Sequence, residues 1–375
     1  MDNRFHIAVF SGDGIGPEIT GPCQALLHKA AQRTGGFSLS MEELPAGAGC
    51  YRDTGVALPH ESMQAARSAD GILLSAMGLP QIRYSDGTEI APQLDLRLEL
   101  GLYAGIRPVR AIPGIPAVLA SPKAANLDFV LLRESTEGLF ASHGKGVIKD
   151  DREASETLVI TRQTSEKLFD FAFRLARQRR AGGYAGRVTC VDKANVFNAF
   201  AFFRKIFDER ARKFPDIDAD HAYVDAMALN LVRNPWRYDV LVTENMFGDI
   251  LSDLGAALIG GMGMAPSADV GDEHAVFQPC HGSAPDIAGQ GKANPTAMFL
   301  SGAMLLEWLG AGHNEPHCRM AGRLIRDAVD AAFSGGGLLP PELGGDCGTR
   351  TISDAVIEAL QRLPVPADQP LPLDG

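Results

Sequence analysis

The six cysteines of this chain, Cys23, Cys50, Cys190, Cys280, Cys318 and Cys347, are scattered and form no CxxC pair. That pattern suits reduced core thiols in a cytoplasmic protein better than a disulfide framework or a zinc site. No apolar run approaches the ~20 residues of a membrane span. The opening MDNRFHIAVF moves straight into a strand, so no signal peptide is expected. Internal repeats and low-complexity tracts are also missing, and only Pro364 to Gly375 reads as a loose tail. Positive charge is short as well. A net charge of −11 leaves no basic face for nucleic acid or an anionic membrane. A local arginine cluster can still hold a small anion.

What remains is an ordinary globular composition, 45% hydrophobic and 22% charged over 375 residues, enough for about two domains. Strand signals at Phe5 to Phe10, Gly71 to Ala76, Phe129 to Arg133, Thr157 to Thr161, Val188 to Val191, Ala222 to Val224 and Val240 to Thr243 alternate with helical stretches. The helices are expected at Pro59 to Ala69, Pro92 to Gly101, Ser165 to Arg180, Val196 to Lys213, Pro295 to Leu309, Cys318 to Phe333 and Ile352 to Leu363. This alternation predicts an α/β architecture with a largely parallel, covered sheet. The first turn, Gly12-Asp13-Gly14-Ile15-Gly16-Pro17-Glu18, runs GxGxG and meets a proline at once. It is therefore not a Rossmann fingerprint, and a tight strand-to-helix turn accounts for its glycines.

The chemistry concentrates in Glu244 to Asp269, ENMFGDILSDLGAALIGGMGMAPSAD. Ile250, Leu251, Leu254, Ala257 and Leu258 form an apolar stripe on a helix whose Asp249 and Asp253 stand one turn apart. The pair is either a solvated acidic face or a site for a hard cation such as Mg²⁺, and the glycine-rich turn that follows favours the cation. Arg97, Arg107 and Arg133 stand at a helix end and on two strands, where they are surface charges or a carboxylate-binding group. Lys193 follows an apolar strand and in a dry pocket could act as a base. Asp225 sits at a strand-to-helix junction, as an N-cap or a third metal carboxylate. The small-residue segment His281-Gly282-Ser283-Ala284-Pro285-Asp286-Ile287, leading to Lys292-Ala293-Asn294-Pro295, would let backbone N–H groups approach a phosphate or an adenosine.

These pieces together resemble the β-decarboxylating dehydrogenases, the isocitrate/isopropylmalate dehydrogenase family that also holds tartrate and D-malate enzymes. GDGIGPE, LRLELGLYAGIRP, LRESTEG, VDKANVF, YVDAMALNLVRNP, NMFGDILSDLGAALIGGMGMAPSAD and HGSAPDIAGQGKANPTAMFLSGAMLLEWLG carry the likeness over nearly the whole chain. The resemblance implies a two-domain, non-Rossmann fold. Residues 1–105 with 250–375 would form the cofactor-binding domain, and 106–249 the dimerisation and substrate domain with an intersubunit arm. It implies NAD, Mg²⁺ or Mn²⁺, a homodimer or tetramer with shared active sites, and oxidative decarboxylation of a 2-hydroxy diacid. Arg97, Arg107 and Arg133 would hold substrate carboxylates, Asp249 and Asp253 the metal. Asp225 and the base Lys193 would come from the other subunit. His281, Gly282, Ser283, Ala284, Asp286, Ile287 and Asn294 would hold the cofactor. Asp286 suits the free ribose of NAD and repels a 2′-phosphate.

Two positions depart from the family pattern. Phe140 stands where a tyrosine usually returns a proton after decarboxylation. Gln93-Leu94 stands where isopropylmalate enzymes place two leucines. A glutamine weakens an apolar pocket, which favours tartrate or D-malate over 3-isopropylmalate.

Overall fold

The computed structural model describes residues 3–368; beyond 368 the expected loose tail lies outside the described residues. Residues 364–368 carry no helix or strand, but Asp368 pairs with Arg319 at 2.8 Å. In chain order the strands are β1 (Asn3–Gly12), β2 (Phe37–Glu43), β3 (Gly71–Ala76), β4 (Ala104–Arg110), β5 (Asp128–Glu134), β6 (Val147–Lys149) and β7 (Glu153–Ser155). They continue with β8 (Arg187–Asp192), β9 (Asp218–Tyr223), β10 (Val240–Thr243), β11 (Pro266–Val270) and β12 (Ala275–Pro279). The helices are α1 (Gly16–Thr34), α2 (Ala48–Thr54), α3 (His60–Ser68), α4 (Pro92–Glu99), α5 (Arg162–Ala181) and α6 (Asn198–Ala211). After them come α7 (Val224–Arg233), α8 (Asn245–Leu258), α9 (Thr296–Gly312), α10 (Pro316–Phe333) and α11 (Thr349–Arg362).

Ten strands make one sheet in the order β2-β1-β3-β12-β11-β4-β5-β10-β8-β9, and β6 pairs with β7 apart from it. Six pairings in the large sheet are parallel, and three antiparallel ones, β12–β11, β11–β4 and β4–β5, lie side by side within it. This is an α/β fold with a mostly parallel central sheet, and not a Rossmann pattern. Every residue of β3, GILLSA, is buried, as a strand covered on both faces requires. Helix α9 is buried almost all round against β11, β12 and α10. A second cluster, including Phe169, Phe173, Phe203 and Phe207, joins α5 and α6 to β5, β8 and β10. Gly12 and Gly14 take positive φ, 66° and 58°, which makes the GxGxG passage the expected tight turn.

Three expectations need correction. Thr157 to Thr161 is not a strand: one bridge joins Val159 to Gly138, and Thr161 instead caps α5 by accepting the Thr164 N–H. The strand expected at Ala222 to Val224 is β9, which ends at Tyr223 before Val224 opens α7. Its exposed Asp218, Asp220 and His221 had hidden it. On α8, Leu251 and Leu258 face the core, while Ile250 is 62% exposed on the opposite side.

Candidate active site

Strand and helix ends surround a cavity of about 180 Å³ whose wall includes Gln93, Arg97, Arg107, Arg133, Asp249 and Asp253. The three arginines come from α4, β4 and the end of β5, and all are buried, at 9%, 5% and 4% exposure. Three guanidiniums cannot share a dry space without an anion. Asp269 of β11 supplies it: its carboxylate accepts Nε–H of Arg97 at 2.9 Å and an Nη2–H of Arg107 at 3.1 Å. Ser135 Oγ and Gln278 Nε2 also donate to it. Burial alone would push the Asp269 carboxyl up, but Arg97, Arg107 and Arg133 outweigh burial and hold it far below the usual carboxylate range. Sheet register makes the meeting possible. Gly105 on β4 lies opposite Arg133 on one side and Asp269 on the other, in the antiparallel centre of the sheet. Sequence reading assigned Asp269 no role, and its position in SAD was the one available hint.

Helix α8 brings the two aspartates. Glu244 caps it by accepting the N–H groups of Met246 (3.1 Å) and Phe247 (2.7 Å). Gly248 lets the helix lie on Arg133, where an added Cβ would come 2.7 Å from the arginine stem. Asn245 Oδ1 accepts Nε–H of Arg133 at 2.9 Å, Asp249 accepts from its Nη1, and the Phe140 ring lies 5.4 Å from the guanidinium carbon. Burial, with the Arg97 charge adding to it, brings the Arg133 pKa down to about 10. The Asp253 carboxyl is raised, first by burial and then by the charge of Asp249. Two hard oxygen donors whose charges oppose each other fit a divalent cation. Among the described residues no three His, Cys, Asp or Glu side chains gather as a metal site within one chain.

Lys193 and Asp225 do not line this cavity; they pair with each other. Asp225 is not the N-cap of α7, a place held by Tyr223, and its bond from Lys193 holds its carboxyl below the usual range. Leu94 is half-buried and, unlike Gln93, is not part of the cavity wall. Of the expected cofactor residues, His281 and Gly282 line the cavity. Ser283 donates to the Gly78 carbonyl, and Ala284 takes a φ of 35°. Asp286 is exposed, while Ile287 packs on the core. Asn294 bonds Glu342 and the start of α9. Two polar atoms in the cavity wall's side chains, Gln93 Oε1 and His281 Nε2, are buried without a partner, and burial lowers the His281 pKa. Both suit a ligand that brings its own hydrogen-bonding groups.

A buried arginine trio facing an aspartate pair defines an acid-binding, cation-compatible centre on a non-Rossmann sheet. A family model described as isocitrate/isopropylmalate dehydrogenase matches residues 6–356. The chain is 38% identical over 360 residues to a 3-isopropylmalate/3-methylmalate dehydrogenase of Methanocaldococcus jannaschii, covering 95% of this chain and 98% of that one. It is 36% identical over 373 residues to a 3-isopropylmalate dehydrogenase of Aquifex aeolicus, covering 96% and 98%. The crystal structure of an isocitrate dehydrogenase from Methylococcus capsulatus superposes with a TM-score of 0.84 at 35% identity, covering 96% of this chain and all of that one. The chain belongs to the isocitrate/isopropylmalate dehydrogenase family, the β-decarboxylating dehydrogenases.

Proposed function

We propose that this chain catalyses NAD- and divalent-metal-dependent oxidative decarboxylation of a (2R)-malate-type 2-hydroxy diacid, with tartrate or D-malate ahead of 3-isopropylmalate. One observation carries the reading: three buried arginines, two of them paired with Asp269 and the third with Asp249, share a single cavity wall with Asp249 and Asp253. Arg97, Arg107 and Arg133 bind and orient the two carboxylates of the diacid, which arginine does in bidentate fashion. Asp249 and Asp253 would hold Mg²⁺ or Mn²⁺, which supplies Lewis-acid chemistry at the 2-hydroxy acid when bound. Lys193 takes the hydroxyl proton, and the segment around Asp286 holds NAD, the hydride acceptor. Phe140 has no proton to return after decarboxylation, so that proton comes from water, from Lys193 or from His143.

Lys193 and Asp225 reach the cavity from a second copy in this reading. The exposed Leu229 and Val232 of α7 and Met246 and Ile250 of α8, on two helices that pack together, support a homodimer. The split into a cofactor part (1–105 with 250–375) and a dimer part (106–249) and the cytoplasmic location belong to the same proposal. Among the described residues no helix is long and apolar enough to cross a membrane. Substrate choice rests on Gln93, whose unpartnered amide oxygen in the wall suits the C3 hydroxyl of tartrate and gives an isopropyl group, which the C3 methylene of D-malate lacks, no apolar surface. The names of the relatives favour 3-isopropylmalate, which is the second reading.

The test is NADH formation with Mn²⁺ across D-malate, both tartrates, 3-isopropylmalate and isocitrate, with and without chelator, and with NADP in place of NAD. Chelator-sensitive turnover, fastest on tartrate or D-malate, is expected. Fastest turnover on 3-isopropylmalate overturns the substrate, indifference to chelator the metal, and an NADP preference the cofactor. NADH without CO₂ leaves a non-decarboxylating dehydrogenase, and no turnover at all leaves a non-catalytic binder.

A further inference from the structure

Glu18, in the first turn of α1, lies outside the cavity and joins three elements. Its Oε2 accepts the Gly289 N–H at 3.0 Å, and its Oε1 accepts the Ala293 N–H at 3.1 Å and the hydroxyl of Thr349, the first residue of α11. Thr349 closes the triangle by donating its N–H to the Gly291 carbonyl at 2.8 Å. At the other end of the segment, Ile15 N–H donates to the Ser283 carbonyl at 2.8 Å. Between these ties residues 284–292 contain no helix or strand. The backbone that carries Asp286 is thus hung between the turn before α1 at one end and, at the other, the Glu18 carboxylate together with Thr349, which also bonds the Gly291 and Ala293 carbonyls.

We propose that Glu18 is a positioning residue for the cofactor: its carboxylate fixes the 283–293 backbone against α1 and α11 and so sets where Asp286 stands. The proposal rests on the reading of that segment as the NAD site. Bonds to an ionised acceptor are about twice as strong as neutral ones. Without them Gly289 and Ala293 lose their acceptor and the segment samples other conformations, so only a fraction of the molecules is ready for NAD. The arginines and aspartates are held by Asp269 and Glu244, on other elements, and the diacid should not feel the loss.

The experiment compares wild type, Glu18→Ala and Glu18→Gln in the full chain. NAD affinity is measured by calorimetry, KM for each substrate by assay, and amide exchange at Gly289 and Ala293 without cofactor. In Glu18→Ala, KM and Kd for NAD rise roughly tenfold or more, kcat and the diacid KM stay put, and both amides exchange faster. Glu18→Gln keeps one acceptor oxygen and falls between, which also decides the matter should Glu18→Ala fail to fold. Lower thermal stability with unchanged NAD affinity and exchange overturns the proposal, as does an equal rise in both KM values. If wild type binds no NAD, the cofactor reading fails, while the exchange rates still judge whether Glu18 holds the segment.

Discussion

Replacing Gln93 with leucine should move this enzyme toward branched substrates. The glutamine oxygen is buried in the cavity wall with no protein partner. A buried acceptor left unmatched costs about 1–3 kcal/mol, and a substrate hydroxyl at C3 would recover part of that. Leucine removes the polar group and adds apolar surface, worth about 0.8 kcal/mol for each carbon of an alkyl substituent it covers. The two effects add in the ratio of specificities, because one penalises the hydroxyl substrate and the other rewards the alkyl one. The expected swing is about 2–4 kcal/mol, or roughly 30- to 1,000-fold in the ratio of kcat/KM for tartrate over 3-isopropylmalate. Steady-state kinetics on both substrates, in wild type and Gln93→Leu, measure it directly. A ratio that moves less than about threefold would refute the claim that this amide reads C3.

Other outcomes follow from the same structure. Asp269→Asn leaves Arg97 and Arg107 buried without their counter-charge; stability should drop by about 3–5 kcal/mol, read by urea unfolding, with KM for the diacid rising. Phe140→Tyr puts a hydroxyl beside Arg133 and should raise kcat for the decarboxylated product by about tenfold if proton return is slow; equal kcat and CO₂ yield in both proteins would mean proton return does not limit turnover. Glu134 is buried, and burial, against bonds from Thr136 and Glu137, lifts its pKa from 4.5 to about 7. A carboxyl raised on folding favours the fold when protonated, so its contribution is full below about pH 4.5 and is lost as pH rises through about 7. The loss is on the order of 3 kcal/mol. Glu134→Gln should flatten the fall in unfolding free energy between pH 5 and 8, and parallel slopes in the two proteins would count against it.

How much of this was legible in the sequence depended on whether a feature is local. Strand and helix periods are local, so β3, α5 and α10 could be read from spacing. Asp249 and Asp253 share one helix, and their common face follows from 3.6 residues per turn. Arg133 could be placed at a strand end, yet its burial depends on Asn245, 112 positions away. Asp269 is the clearest case: it meets Arg97 across 172 positions, through a sheet order that no local pattern encodes. At Asp225 the sequence left an N-cap and a metal carboxylate open, and the structure removes only the first. An aspartate at a helix start usually caps it, but Tyr223 holds the cap position and the carboxylate turns to Lys193.

The charges in the cavity also constrain how ligands enter it. Arg97, Arg107 and Arg133 carry three positive charges, and Asp249, Asp253 and Asp269 three negative ones, so the set is neutral as it stands. A doubly ionised diacid entering alone would place two uncompensated negative charges beside two exposed aspartates, which is costly. It would also compete with Asp249 for Arg133, since the two are already paired. A dication held by Asp249 and Asp253 would change both conditions: it would restore neutrality and would compete with Arg133 for Asp249, leaving the guanidinium available to a carboxylate. Acid and dication are therefore expected to bind as a coupled pair. Because such coupling is reciprocal, the diacid must tighten the cation by the same factor by which the cation tightens the diacid.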